Sequence, residues 1–180
     1  MDYQFWWGKA ISFEEYLKNF ENELNNGSVK PNADKLPINW QRTNRILKTY
    51  RPSDEVSNAF SKVNDFRRWI VITEHWCGDS AQIIPVMKKM VDLSNGKIEI
   101  RFIYRDDHPE FMDAHLTNSG RSIPKLIQLD SNWQVINFYG PRPEYAMNLV
   151  RTLKSNPETA AKYSEELHKW YAQDKQKSIE

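Results

Sequence analysis

The 180-residue sequence contains a single cysteine, Cys77, so no disulfide can close within the chain. A chain of this length buries enough apolar surface to do without one, and the lone thiol fits a reducing compartment. Neither charge is in surplus: 25 Lys and Arg stand against 24 Asp and Glu, a formal net charge of +1. That balance gives no overall field to draw the chain onto nucleic acid or an anionic membrane. Long apolar runs are missing as well, and Met1 to Lys9 lack the basic patch leading into an apolar stretch that marks an export signal. These absences predict a soluble, cytoplasmic protein with no nucleic-acid or membrane partner. The histidines at 75, 108, 115 and 168 lie too far apart for metal-ligand spacing and read as ordinary surface or core residues, so no metal or other cofactor is expected.

What is present divides into two rhythms. Between Ser12 and Asn25, apolar side chains recur at Phe13, Tyr16, Leu17, Phe20 and Leu24, a helical spacing. Ser12 stands as N-cap with Glu15 three residues on, and Asn26-Gly27 is the stop. A second helical stretch from Ile38 to Asp65 should be divided by Pro52. Nothing in these first 65 residues has catalytic spacing, which assigns them to packing or partner contact. From Arg68 onward short apolar runs alternate with helical stretches: strands at Arg68–Thr73 and Lys97–Tyr104, helices at Ala81–Leu93 and His108–Leu116. Strands at Pro124–Leu129 and Gln134–Phe138 flank the turn-like Asp130-Ser131-Asn132 and predict a hairpin. Helices follow at Glu144–Leu153 and from Pro157 to about Gln173. The order βαβα then ββα implies an α/β fold, a central mixed sheet with helices on both faces. Of the seven tryptophans, six read as packing and only Trp76 invites a functional reading.

Cys77 falls just after a buried strand and just before a helix. There the unpaired backbone N–H groups and the helix dipole favour an anion, and hence the thiolate. Ser80 offers a hydroxyl to that sulfur and His75 a charge if protonated, while Asp79 opposes both by raising the thiol pKa.

Trp76-Cys77-Gly78-Asp79-Ser80, with Pro85 eight residues after the cysteine and Ser122-Ile123-Pro124-Lys125 at the mouth of a strand, resembles the thioredoxin superfamily. In that family Trp-Cys-Gly-Pro-Cys opens the first core helix, a proline kinks it, and an Ile-Pro pair precedes the third core strand. The resemblance implies a thioredoxin-like fold in which 66–156 is the core, 1–65 a helical extension packed on it, and 157–180 a C-terminal helix and tail. It implies that Pro124 is cis, with the Ile123 backbone pairing to a bound substrate. Gly140 after the last strand fits the layout. The Cys-Gly-Asp-Ser form, with Arg105-Asp106-Asp107, Gly120-Arg121-Ser122 and Gly140-Pro141-Arg142-Pro143, is similar to uncharacterised single-cysteine thioredoxin-like proteins of bacteria. The charged loops place Arg105, Arg121 and Arg142 at strand ends, where they approach an anionic partner or serve only as turns.

The pattern departs from a dithiol thioredoxin at two matched points. Ser80 occupies the place of the resolving cysteine, and Val71 that of the buried acid which deprotonates it. The resemblance therefore implies a monothiol thiol–disulfide exchanger with Cys77 and Ser80 as the catalytic positions. Trp76, Gly78, Asp79, Ile123 and Pro124 frame the substrate, a protein or low-molecular-weight disulfide, and an external thiol acts as resolver. The rival readings are a redox sensor passing through sulfenic acid and a non-catalytic binding module with Cys77 as a relic. Monothiol glutaredoxins share the Cys-Gly-x-Ser outline, but Glu74-His75-Trp76, Ser122-Ile123-Pro124 and Tyr139-Gly140-Pro141 stand where their lysine, Thr-Val-Pro and Gly-Gly would be.

Overall fold

The structure, a computed structural model, describes all of residues 1–180. Its centre is a four-stranded mixed sheet of order β2-β1-β3-β4. Here β1 is Arg67–Thr73, β2 Ile98–Tyr104, β3 Lys125–Leu129 and β4 Val135–Tyr139. Strand β1 runs parallel to β2 and antiparallel to β3, and β3 pairs with β4 in the expected hairpin. The hairpin turn is held by the Asp130 carboxylate, which accepts the backbone N–H groups of Asn132 and Gln134.

Because β1 is apolar at consecutive positions rather than alternate ones, both its faces are covered. Trp69 and Val71 face the larger core with Ile83, Ile84 and Met87 of α5 (Gly78–Asp92), and that same core takes in Phe13, Tyr16 and Phe20 of α2 (Phe13–Asn26). Ile70 and Ile72 face a smaller core closed by Trp6 and Trp7 and by Phe111 and Met112. The N-terminal helices are thus continuous with the core, not appended to it.

Helix α2 begins and ends as its sequence predicts: the Ser12 hydroxyl accepts the Glu15 N–H at 3.1 Å, and Gly27 follows the last turn at φ 79°. Pro52 separates α3 (Leu36–Thr49) from α4 (Asp54–Ser61). Three elements differ from the sequence reading. Helix α1 (Tyr3–Lys9) was not foreseen; seven residues are too few to be helical alone, and the burial of Trp6 and Trp7 holds it. Helix α6 spans only Pro109–Asp113, because the His115 ring Nδ1 lies 2.7 Å from the Phe111 carbonyl that the next helical N–H would use. The C-terminal stretch after α7 (Glu144–Ser155) is two helices, α8 (Pro157–Ala160) and α9 (Tyr163–Asp174). They are parted where Lys162 N–H turns back three residues to the Thr159 carbonyl instead of four.

Candidate active site

Strand β1 delivers the chain through Glu74-His75-Trp76 to Cys77, the N-cap of α5. Its Sγ accepts the Ser80 N–H at 3.5 Å, the role a serine or aspartate usually plays at this position. The thiol proton points to the Ile123 carbonyl, 3.4 Å from Sγ. The Ser80 hydroxyl, fully buried, accepts a hydrogen bond from Thr73 Oγ1 at 2.8 Å. Cys77 itself is only 7% exposed.

These contacts fix the direction of the thiol shift that the sequence left open. Burial pushes the thiol up to about 11, and the Asp79 charge pushes the same way. The Ser80 hydroxyl and the N–H groups of Ser80 and Asp79 favour the thiolate but do not offset the cost of burial. At pH 7 only about one molecule in ten thousand is ionised. His75 does not help. It is buried, stacked on Phe20 with ring centroids 4.4 Å apart, and engaged with Glu23, Tyr16 and Tyr104. Burial holds it below the ordinary histidine range, so the charge that His75 would offer if protonated is not supplied, and it is a neutral core residue.

Asp79 also differs from its expected role against substrate. Its carboxylate is buried, takes Arg142 at 2.6 Å and accepts the Tyr171 hydroxyl at 2.9 Å. Burial raises its pKa, while Arg142 foremost, then Tyr171 and Arg42, draw it back. Asp79 therefore ties the 140–143 loop and α9 to the start of α5. Gly140 sets the approach of that loop: at φ 107°, a Cβ there would sit 2.2 Å from the Pro124 carbonyl oxygen. The Ile123–Pro124 bond is cis, as the resemblance implies, and Gly140–Pro141 is cis as well. Ile123, Pro124 and Pro141 are all buried, and of the three Ile123 and Pro141 line the site.

In front of Cys77 lies a cleft of about 330 Å³. Trp76 forms one wall, with the Arg105 guanidinium 4.6 Å above its ring and its indole N–H donating to Asp106 at 3.3 Å. The opposite walls come from outside the sequence-predicted site. Helix α3 and the turn before it contribute Lys35, Asn39 and Arg42, and α9 contributes Tyr163, Leu167 and His168. The N-terminal helices thus do more than pack, and His168 is neither a plain surface residue nor a plain core one. Its ring lies over Gly78, where a Cβ would meet Nε2 at 2.6 Å. Burial and the charges of Arg42 and Arg142 lower His168 to about 3. The Gln82 amide nitrogen lies 3.3 Å from Nδ1. One sequence signal marked the α3 wall: Asn39 and Thr43 occupy buried positions on an otherwise apolar stripe. Asn39 uses its amide to hold the His75 carbonyl at 3.1 Å and Arg42 at 2.9 Å.

No group of three or more His, Cys, Asp or Glu side chains is arranged to hold a metal ion. No helix is long and apolar enough to cross a membrane. A family model described as thioredoxin matches residues 30–175. The chain belongs to that family. The match takes in α3 and α9, so both outer walls of the cleft lie inside the thioredoxin match. Among solved structures, a Pseudomonas aeruginosa protein of unknown function is 13% identical with a TM-score of 0.58, covering 91% of this chain and 90% of that one. An HIV epitope-scaffold is 16% identical with a TM-score of 0.56, covering 77% and 76%. At these identities they show a shared thioredoxin-like fold. No curated protein matches the chain.

Proposed function

We propose that this thioredoxin-family chain carries out monothiol thiol–disulfide exchange at Cys77. The observation that carries the reading is the placement of the sole thiol at the start of α5, 3.4 Å from the Ile123 carbonyl and at the floor of a cleft. The Cys77 thiolate attacks one sulfur of a disulfide, the S–S bond breaks, and the departing thiolate takes up a proton. An external thiolate then attacks the substrate sulfur of the mixed disulfide and releases Cys77 as thiolate, since Ser80 has no sulfur with which to resolve it.

A thiol at about 11 needs help to do this. Its lower ionised fraction, partly offset by the greater nucleophilicity of a more basic thiolate, makes it roughly 25-fold slower at neutral pH than an ordinary cysteine. Substrate supplies the help. A substrate N–H that bonds to the Ile123 carbonyl removes the acceptor that holds the thiol proton, and loss of that neutral-form hydrogen bond shifts the balance to thiolate. The test is incubation with a small disulfide and intact-mass analysis. The reading requires a single adduct on the wild type, reversed by added thiol and absent from Cys77→Ala; an unmodified wild type overturns it.

The raised thiol favours one other reading, a binding module in which Cys77 is a buried hydrophobe. That reading requires partner capture by Cys77→Ala to equal that of wild type.

A further inference from the structure

We propose that the cleft selects a low-molecular-weight disulfide bearing a carboxylate or phosphate, with Arg42 and Lys35 as its anion-binding residues. This rests on the exchange reading above and names the substrate class for the same site.

Size comes first. The cleft is walled by α3 on one side and α9 on the other, and at about 330 Å³ it falls at the small end of small-ligand pockets. With Cys77 only 7% exposed at its floor, a disulfide on the surface of a folded protein cannot approach the sulfur in line, whereas a small flexible disulfide can.

Charge decides the rest. Five cationic side chains, Lys35, Arg42, Arg105, Arg121 and Arg142, border the cleft against one carboxylate, Asp79. Three of the cations are already spoken for: Arg142 by Asp79 at 2.6 Å, Arg121 by Asp113 at 2.6 Å, and Arg105 by Asp106 at 2.8 Å. Lys35 and Arg42 are not. Each bonds only to a neutral amide oxygen, of Asn32 at 2.7 Å and Asn39 at 2.9 Å. Arg42 is half-buried; burial and its neighbour Arg45 lower its pKa, and the Asp79 carboxylate, bonded to Arg142 instead, offsets this only in part. The Arg42 fork is pre-oriented by Asn39, which is fully buried and anchored to the His75 carbonyl. Arg42, oriented and partly withdrawn from water, and the exposed Lys35 at the rim present positive charge not bonded to a carboxylate beside a thiol, which matches an anionic group carried a few bonds from a sulfur.

The test separates binding from chemistry. Binding of two unreactive analogues to Cys77→Ser is measured by calorimetry at low ionic strength: S-methylglutathione as the carboxylate arm and desulfo-coenzyme A as the phosphate arm. Saturable binding of either, weakened at least tenfold by adding Arg42→Gln and by 0.5 M salt, supports the assignment, and the arm that binds identifies the anion. Binding of neither, or binding indifferent to Arg42→Gln, overturns it. On the wild type, the rate of exchange with glutathione disulfide relative to neutral 2-hydroxyethyl disulfide should fall about tenfold in Arg42→Gln. A ratio that does not fall counts against anion selection while leaving exchange standing. Failure of both disulfides to react, with analogue binding intact, removes exchange and keeps the anion site.

Discussion

Replacing Asp79 by Asn tests how the thiol is held in its protonated form. The substitution keeps the shape of the side chain and an oxygen to accept the Tyr171 hydroxyl, but removes a negative charge that raises the Cys77 pKa. A unit charge roughly 5–8 Å from a thiol, at an effective dielectric of about 20, is worth about 2–3 kcal/mol, or about 2 pKa units. The Arg142 charge persists in the variant and, no longer paired, continues to favour the thiolate. The thiol should therefore fall from about 11 towards about 9. At pH 8 the ionised fraction then rises about a hundredfold, and after allowing for the lower nucleophilicity of the less basic thiolate, a net gain of about tenfold in rate remains. The assay is the pH–rate profile of alkylation by iodoacetamide, a neutral reagent, followed by intact mass from pH 7 to 11. A midpoint in Asp79→Asn at or above that of wild type would refute the view that Asp79 holds the thiol protonated.

Other expectations follow from the same geometry. Tyr171→Phe removes the hydroxyl from a buried carboxylate and should cost about 2 kcal/mol in urea denaturation, with Cys77 becoming more accessible to alkylation as α9 loosens. Gly140→Ala puts a methyl into the Pro124 carbonyl at a positive φ and should lower the melting temperature sharply, whereas Gly27→Ala, which meets nothing within 4 Å, should be milder. His168, held near 3 in the folded chain but near 6.5 when unfolded, binds its proton preferentially in the unfolded state. Its neutral form is native at pH 7, so stability should fall as pH drops below about 6.5, by about 1.4 kcal/mol at pH 5.5, and His168→Gln should flatten that slope. A wild type equally stable at pH 7 and 5.5 would contradict it.

Much of the fold was legible because its signals are local. The Ser12 cap, the Gly27 stop, the Pro52 break and the apolar run of β1 each act within a few residues, and the elements they bound stand within a few residues of their expected ends. Helix α1 was not legible, since its stability comes from burying Trp6 and Trp7 against Phe111, a contact that no window of sequence contains. The site divides the same way. Cys77, Ser80 and the Ile123–Pro124 turn were visible as a motif, but the sign of the thiol shift was not, because burial depends on what covers the sulfur. Arg42 and His168 lie far from the motif in sequence and reach it only through the packing of α3 and α9. Asp79 looked like a ligand group, and only the positions of Arg142 and Tyr171 show its two oxygens already engaged.

The wall that α9 provides has a bearing on how the chain is made. His168 is synthesised about 90 residues after Cys77, roughly 5–20 s later at ordinary elongation rates. Throughout that interval the helix that covers the thiol does not exist, so the nascent chain exposes a cysteine that the finished protein shelters. Oxidative damage at Cys77 should accordingly accumulate on ribosome-bound chains more than on the mature pool, and a slow-codon stretch before residue 163 should increase it.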